Sequence, residues 1–516
     1  MRVVLAVVLA ALWFGTLGVR PLYMADESRY AEIPREMVAS GDCVTPRLNG
    51  LKYFEKPPLQ YWATAAAFEL FGFRDWTARL WTALTGFAGI LLVFAFAKRT
   101  YGEMAARAAA AVLAGSPLYV LLGQVNTLDM GVTLFLSAAV FAFALERWLL
   151  FWAACALAVL SKGLIGIVLP LGAVFWYVVL KRDWGLVRRM RPIAGPLLFL
   201  LITVPWFAAV SAANKEFAHF FFIQEHFERF TTRMHGRYQP AWYFVPVLAV
   251  GIAPWLLPAF FSLKNMFQKE KDRRFDTRFF LWLWVLIVFV FFSLSDSKLP
   301  SYILPVVPAL ALLIGEALPG TPRGILLLQA ALTLAAGIAA AALAPEVVSD
   351  YPAYLPWAVS ASALAAGCGI VAFFFAWRRA AAGAIAVLAI AGFACTQLAL
   401  VGHRTLAPLF SAASLVAAAP PIPADAPVYS VDAYDHSIPW YLRRTVRMVG
   451  YKDELEKAVA WEPARFVPDL AAFATEWKAQ HNAYAVVALR DFDRLRGELP
   501  MQEIARDPRY VLVRKP

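Results

Sequence analysis

Charged side chains are scarce in this chain. Asp, Glu, Lys and Arg make up only 16% of its 516 residues, while 61% of the residues are hydrophobic. Soluble domains carry roughly 25% charged residues. The composition therefore excludes an ordinary soluble enzyme and predicts a polytopic α-helical membrane protein.

Cysteines are few, and their spacing points to no disulfide framework. The chain also lacks a Rossmann-like glycine-rich loop, so we expect no nucleotide cofactor. A cysteine-based metal site is excluded as well, because no CxxC pair is present. The four cysteines are Cys43, Cys155, Cys368 and Cys395, and the last three lie inside apolar runs.

The net charge of +12 does not indicate nucleic acid as a partner. The Lys and Arg residues stand in short groups between apolar runs, which is how membrane topology is encoded. Membrane lipids are therefore the expected surroundings, and no nucleic-acid partner is expected.

Thirteen apolar runs approach the length of about 17 to 25 residues that a bilayer crossing takes. Tyr23 at the candidate cleavage site after the first run favours an uncleaved anchor over a signal peptide. The runs lie near residues 3–21, 80–97, 106–123, 129–145, 147–161, 163–180, 193–212, 241–262, 278–295, 300–316, 324–343, 355–377 and 380–402.

A further apolar run at 58–72 is short and contains Glu69. Counting it as a crossing would invert every later basic loop relative to Met1 and Arg2, so the positive-inside rule makes it a helix along the membrane interface. The N-terminus is then cytoplasmic and the C-terminus lies outside. The ionisable motifs between the spans all fall on the outer face.

The hydropathy drops after Gly402, and the chain divides there. We predict a transmembrane domain over 1–410, which includes a juxtamembrane segment at 25–75 and a periplasmic loop at 213–240. A small soluble α/β domain at 420–516 follows on the periplasmic side, with a role in substrate shielding or partner contact. Its predicted strands are 428–431, 446–449, 483–489 and 510–513, and its predicted helices are 454–461 and 469–480.

The juxtamembrane segment opens with Asp26 and Glu27, a few residues after the first span. A partly desolvated position there would raise the pKa of these carboxyl groups toward that of a general base. A solvated acidic turn is the alternative. An exposed, ion-paired helix face is predicted from the spacing of Arg29, Glu32, Arg35 and Glu36.

Asp129 begins an apolar run on the same predicted face. A carboxylate at a membrane span is costly and suggests a functional site, although capping of a helix would also explain it. The run Lys52–Pro58 combines two cations, a carboxylate and two prolines, which restrict the backbone. It fits a phosphate cradle whose carboxylate needs a metal, or a rigid turn with its charges in water.

The loop 213–240 could supply a nitrogen ligand to that metal, because it contains His226 and His235. His with a carboxylate suits zinc. Arginines of this loop could meet an anionic lipid or only the membrane surface. At other outer turns, Lys162, Lys298 and Tyr302 could meet a phosphate or act as turn and snorkelling residues.

These motifs together resemble the C-type glycosyltransferase superfamily, in its protein mannosyltransferase-like group, and most closely the bacterial lipid A aminoarabinose transferases. The matching motifs are Asp26–Tyr30 (DESRY), Tyr53–Pro58 (YFEKPP), Asp129, Ser161–Gly163 (SKG), Glu225–Phe230 (EHFERF) and Ser297–Pro305 (SKLPSYILP).

The resemblance implies a role for each matching residue. Asp26 takes the catalytic role, with Asp129 as the second acidic residue near it. Glu55 and His226 match metal ligands, and the implied metal is Zn²⁺. The residues implied around the donor phosphate are Lys56, Tyr53, Tyr302 and Arg29, and further candidates for acceptor or phosphate contacts are Glu27, Lys162, Arg229, Arg233, His235 and Lys298.

The implied activity is that of an inverting glycosyltransferase at the periplasmic face of the bacterial inner membrane. It would move 4-amino-4-deoxy-L-arabinose from undecaprenyl phosphate to lipid A, and a monomer is expected. Another polyprenyl-phosphate sugar with a lipopolysaccharide-core or protein acceptor stays open, as does a lipid-linked sugar transporter. A transporter should carry polar groups near mid-membrane, whereas the ionisable residues here cluster at one face.

Overall fold

Helices make up most of this protein, as the apolar runs predict. The computed structural model describes residues 2–228, 238–266, 268 and 275–516. The helices up to residue 402 are α1 (Arg2–Phe14), α2 (Asp26–Ser40), α3 (Leu59–Phe71), α4 (Asp75–Tyr101), α5 (Glu103–Ala114), α6 (Pro117–Leu122), α7 (Asp129–Ala144), α8 (Trp148–Lys162), α9 (Ile165–Lys181), α10 (Gly185–Arg189), α11 (Ala194–Ala213), α12 (Phe244–Gly251), α13 (Leu256–Ser262), α14 (Thr277–Leu294), α15 (Val307–Ala317), α16 (Arg323–Val347), α17 (Leu355–Trp377) and α18 (Ala381–Gly402).

The apolar helices establish a multi-pass membrane protein. Within the described ranges, seven helices are long and apolar enough to cross a membrane, and a bent pair formed by residues 241–251 and 253–265 is either a broken eighth span or a re-entrant loop. Three shorter apolar helices, α7, α8 and α9, accompany them. Each of the thirteen predicted runs contains a helix, but the number of crossings stays a prediction. The run at 58–72 is a helix, and its position along the interface also stays a prediction.

The contacts divide the chain into two compact units. The first consists of residues 1–16, 55–60 and 81–402, and the second of residues 17–54, 61–80 and 403–516. The second unit therefore combines most of the segment that follows α1 with the C-terminal region.

Trp13 organises part of the first unit. Its indole Nε1 donates a hydrogen bond to the Ala83 carbonyl at 2.9 Å, and its side chain is fully buried. A Cβ on Gly86 or Gly123 would stand 2.7 or 2.5 Å from the indole ring. Both positions therefore need glycine, because protein cores are close-packed and leave no room for an added methyl group.

The C-terminal part of the second unit contains a mixed sheet with helices. Its helices are α19 (Ala407–Phe410), α20 (Ala413–Ala418), α21 (Ser437–Leu442), α22 (Glu456–Trp461), α23 (Leu470–Ala479) and α24 (Leu489–Glu498). After the hairpin strands β1 (Arg47–Leu48) and β2 (Leu51–Lys52), the strands are β3 (Val428–Val431), β4 (Arg447–Val449), β5 (Phe466–Val467), β6 (Tyr484–Ala488), β7 (Gln502–Arg506) and β8 (Tyr510–Arg514).

The strand order is β5-β4-β3-β6-β8-β7, in which β3 to β6 run parallel and β7 and β8 are antiparallel to their neighbours. The four predicted strands and both predicted helices are confirmed to within two residues. The strands β5 and β7 are additional. β5 has two residues and β7 is mostly exposed, so neither has the apolar run that marks a strand buried on both faces.

The juxtamembrane residues of the second unit are held by polar and apolar contacts. The Asn49 side chain donates to the Val446 carbonyl at 2.9 Å and accepts from the Val446 amide at 2.7 Å. These are the two hydrogen bonds that the backbone of a neighbouring strand would make. α2 ends at Ser40, and its C-cap Gly41 has a φ of 72°, in the left-handed region that favours glycine. An apolar cluster packs α2, α3 and α21 together and consists of Leu22, Ala31, Phe68, Ala78 and Trp440.

Candidate active site

In the second unit, Asp26 lies in the first turn of α2 and contacts an arginine one turn later. Arg29 Nη1 donates to Asp26 Oδ1 at 3.0 Å. The two side chains differ in exposure, because Asp26 is 47% exposed and Arg29 is 6% exposed. The predicted catalytic carboxylate is therefore accessible, while its cationic partner is buried.

The other end of the Arg29 guanidinium contacts a residue of the C-terminal region. Arg29 Nη2 donates to Glu454 Oε2 at 2.5 Å, and Glu454 Oε1 lies 2.5 Å from His436 Nε2. Burial opposes ionisation of Glu454, but the adjacent imidazole of His436 and the charge of Arg29 lower its pKa to about 2. Burial likewise disfavours the charged form of Arg29, yet Tyr53 and Glu454 hold its pKa above the usual value.

Glu27 is fully engaged in ionic contacts. Arg20 donates to its two oxygens at 2.5 and 3.0 Å, and Arg79 donates to them at 2.8 and 2.9 Å. Arg79 also donates to the carbonyls of Leu17, Arg20 and Pro21. Although burial opposes ionisation, the two guanidinium groups lower the pKa of Glu27. For Glu27, the prediction of a raised pKa is therefore wrong, and so is the alternative prediction of a solvated acidic turn.

Of the remaining charges of α2, Glu32 and Arg35 form the predicted ion pair, but the expectation that this helix face is exposed is wrong. Arg35 donates to both oxygens of Glu32 at 2.6 and 2.5 Å, and both side chains are buried. Glu36 Oε2 accepts from the Gly50 amide at 2.8 Å. Burial and the neighbouring charge of Glu32 raise the pKa of Glu36 to about 8. The spacing predicts the pairs, but the second unit covers the helix on more than one side.

In the first unit, Lys56 brings two carboxylates together. Its ammonium Nζ lies 3.1 Å from Glu225 Oε2 and 3.9 Å from Glu55 Oε2, and it donates to the Glu55 carbonyl at 2.9 Å. The side chains of Glu55 and Lys56 are largely buried. A turn with its charges in water is therefore not what forms here.

A second cluster of the first unit joins three candidate residues that are far apart in the sequence. Lys162 Nζ donates to Asp129 Oδ1 and lies 4.8 Å from the centroid of the Tyr302 ring, a distance at which cation and ring attract each other. Asp129 is the first residue of α7 and makes no side-chain cap, since the N-cap is Leu128. Its described hydrogen-bond partner is thus Lys162, while its place in the first turn of α7 also suits a negative charge.

Lys298 contacts the backbone of two loops, as the turn-residue alternative predicts. It is buried, and its ammonium donates to the carbonyls of Gln239, at 2.8 Å, and of Ser295. These bonds tie two loops of the first unit together. A phosphate contact by Lys298 stays a prediction.

Several predicted residues lie outside the described part of the chain. They are Arg229, Arg233, His235 and the side chain of His226. The backbone of His226 belongs to a π-helix over His219–Glu228, which also carries Glu225. Among the described residues, no group of three His, Cys, Asp or Glu side chains could hold a metal ion.

The sequence alone indicates no role for four residues that make these contacts, which are Glu225, His436, Glu454 and Arg79. Glu225 stands in the motif that contains His226, so that motif is the signal that could have found it. The C-terminal residues His436 and Glu454 carry no such signal. Each stands among other polar residues in a region without metal or nucleophile spacing.

Two family models match parts of the chain. The model described as dolichyl-phosphate-mannose-protein mannosyltransferase matches residues 55–208, and the aminoarabinose transferase C-terminal domain matches residues 414–515. The crystal structure of ArnT from Cupriavidus metallidurans bound to undecaprenyl phosphate is similar over 100% of this chain and 98% of its own, with a TM-score of 0.93 and 37% identity.

The chain belongs to the aminoarabinose transferase family. The undecaprenyl phosphate-α-4-amino-4-deoxy-L-arabinose arabinosyl transferase of Edwardsiella ictaluri is 29% identical over 94% of this chain and 92% of its own. The transferase of that name from Erwinia tasmaniensis is 32% identical over 70% of this chain and 67% of its own. Membership of the aminoarabinose transferase family confirms the resemblance, the helical membrane fold and the class of enzyme, a glycosyltransferase.

Proposed function

We propose that this glycosyltransferase moves 4-amino-4-deoxy-L-arabinose from undecaprenyl phosphate to lipid A. The observation that carries the proposal is the full-length similarity to ArnT of Cupriavidus metallidurans, whose structure is described as bound to undecaprenyl phosphate. The proposed place of the reaction is the periplasmic face of the inner membrane, because the basic loops follow the positive-inside rule with the motifs on the other side.

Asp26 is the proposed general base. Its carboxylate is accessible and accepts one hydrogen bond from Arg29, so an oxygen is available to take the proton of an acceptor hydroxyl. A positioned base contributes about 10²–10⁴-fold to such a step. Attack opposite the leaving phosphate would invert the anomeric carbon.

The proposed contacts of the leaving phosphate are Lys56, Tyr53, Tyr302 and Arg29. Fixed cations and hydroxyl donors stabilise the charge that develops on a leaving group. Lys56 lies between Glu55 and Glu225, and a phosphate would compete with these carboxylates for its ammonium group. Lys162 and Asp129 are proposed to act beside Tyr302, with which Lys162 is in contact.

A divalent metal, most simply Zn²⁺, is part of the proposal. Glu55 and His226 would hold it, with Glu225 as a further carboxylate. The described donors fit, because Glu55 and Glu225 converge on one cation, Lys56, and zinc accepts carboxylate and imidazole ligands. Such an ion neutralises phosphate charge when bound. Elemental analysis of the purified protein should find zinc that Glu55→Gln loses and the exposed variant Glu69→Gln retains.

The test of the activity uses purified protein with the undecaprenyl-phosphate aminoarabinose donor and lipid A. Mass spectrometry should find lipid A heavier by one aminoarabinose residue, and none when the donor is replaced by undecaprenyl phosphate. Donors with other sugars, and lipopolysaccharide-core or protein acceptors, test the related transferases. Movement of the donor across vesicle membranes without sugar transfer would instead identify a transporter and contradict the proposal.

A further inference from the structure

A line of polar contacts joins Asp26 to the C-terminal sheet region of the second unit. It runs from Asp26 through Arg29 and Glu454 to His436, with atom pairs at 3.0, 2.5 and 2.5 Å. The four residues come from α2, from the 3₁₀ turn Asp453–Leu455 that precedes α22, and from the residue before α21. The proposed base is therefore connected to residues more than 400 positions away in the sequence.

The contacts with Glu454 hold Arg29 more firmly than the contact with Asp26 does. Arg29 and His436 are buried and Glu454 is mostly buried, whereas Asp26 is half-exposed. A charge-assisted hydrogen bond is stronger where water is excluded. Tyr434 packs edge-on against the His436 ring, with the ring centroids 4.8 Å apart, and so restricts the imidazole that contacts Glu454.

The guanidinium group of Arg29 is rigid and planar, and its N–H groups point in fixed directions like a fork. With one end on Glu454, it presents one N–H to Asp26 and leaves the second Asp26 oxygen without a bond from Arg29. Without Glu454, the fork could turn to bind Asp26 with two parallel hydrogen bonds, which is the preferred geometry of arginine with a carboxylate. A carboxylate bound in that way is a weaker base.

We propose that Glu454, supported by His436, is a positioning residue that keeps Arg29 from binding both oxygens of Asp26 and so preserves Asp26 as a base. This inference rests on the proposed function. It gives the C-terminal region a part in the reaction. The titratable and charged groups that face Arg29 are Tyr53, Glu454, Tyr30 and Asp26, and those that face Glu454 are His436, Arg29, Tyr434 and Tyr451.

The experiment measures kcat and KM for sugar transfer across pH with the full-length protein. Glu454→Gln should lower kcat about tenfold with little change in KM. It should also move the acidic limb of the kcat/KM profile to lower pH by about one unit, because the guanidinium charge then acts on Asp26 alone. The matched control is Glu476→Gln, which removes a carboxylate of the same region that pairs with Arg447 at 3.0 Å. It should leave the profile in place.

Glu454→Asp serves if Glu454→Gln does not fold. It keeps the buried charge but withdraws it from Arg29 by one methylene group, so we expect a smaller shift in the same direction. An unmoved acidic limb in either variant, or a loss of rate that is equal at all pH values, would overturn the inference. Asp26→Asn separates the two proposals. If it transfers sugar at the parental rate, Asp26 is not the base, whereas an inactive Asp26→Asn with an unmoved Glu454→Gln profile rejects the positioning role alone.

Discussion

Asp26 and Glu27 are adjacent, carry the same charge and both face arginines, yet their surroundings differ. Asp26 accepts one bond from Arg29 and is 47% exposed. Glu27 accepts from Arg20 and Arg79 on both oxygens and is 4% exposed. A carboxylate with every oxygen bonded and no access to solvent holds a fold together. One with a single bond and an open side can exchange a proton with a substrate.

The largest effect on the rate of sugar transfer is expected when Asp26 is substituted. Asp26→Asn should lower the rate of sugar transfer by about 10²–10⁴-fold, because it removes the base while conserving shape. The thermal unfolding midpoint in detergent should stay near that of the parent, since the substituted side chain is half-exposed. Single-turnover transfer measured by mass spectrometry checks the rate. A parental rate would contradict the catalytic assignment.

Glu27→Gln should lower the stability of the fold rather than the rate of sugar transfer, which is the opposite of the pattern expected for Asp26→Asn. Removing one partner of a buried ion pair costs about 3–5 kcal/mol of folding stability, because Arg20 and Arg79 keep their buried charges. The activity of each remaining folded molecule should change little. Thermal unfolding of the purified variant measures the effect, with the exposed Glu69→Gln as the control.

The contribution of Glu27 to the stability of the fold should decrease as the pH falls. Its folded pKa is lowered, so it stabilises the protein above the unfolded glutamate pKa of about 4.3, and this contribution is lost as the pH falls. The difference between parent and Glu27→Gln should therefore shrink in acid. A difference that grew in acid would show that the contacts of Glu27 are not what stabilises the fold.

The difference between Asp26 and Glu27 also shows which features of the protein can be predicted from its sequence. Long apolar runs have one favourable solution next to lipid, the helix, and strands buried on both faces read as continuous apolar runs. Both patterns are local, so the helices and β3, β4, β6 and β8 follow from them. The partners of single charges are not local. Neither Glu454 on Arg29 nor Glu225 on Lys56 leaves a periodic signal, and the motif identifies Asp26 without indicating what holds it.

In the first unit, Asp129 can be compared with both residues. It either takes part in the reaction, as proposed for Asp26, or mainly stabilises the fold, as Glu27 does. It is buried like Glu27 but has one described cationic partner, Lys162. We expect Asp129→Asn to slow transfer about tenfold to a hundredfold and Lys162→Gln to do the same. The double variant should be little worse than either, because contacting residues couple by about 0.5–3 kcal/mol. Additive losses would indicate independent roles.

The smallest expected effect comes from Glu36, a third carboxylate of α2 whose behaviour with pH should be the reverse of that of Glu27. Its pKa is raised to about 8 by burial and by Glu32. Between the unfolded pKa of about 4.3 and this value the folded protein binds the extra proton, so stability falls as the pH rises. Glu36→Gln keeps an acceptor for the Gly50 amide but cannot ionise.

At pH 5 the Glu36→Gln variant and the parent should therefore unfold at similar temperatures. At pH 9 the variant should be more stable, at roughly 2–4 °C for each kcal/mol in a domain of this size. Thermal unfolding at both pH values measures this, and Glu27→Gln is the internal control, because its deficit should persist at pH 9. A Glu36→Gln variant that is less stable than the parent at pH 9 would mean that the Glu36 carboxylate is stabilised by its surroundings, as the Glu27 carboxylate is.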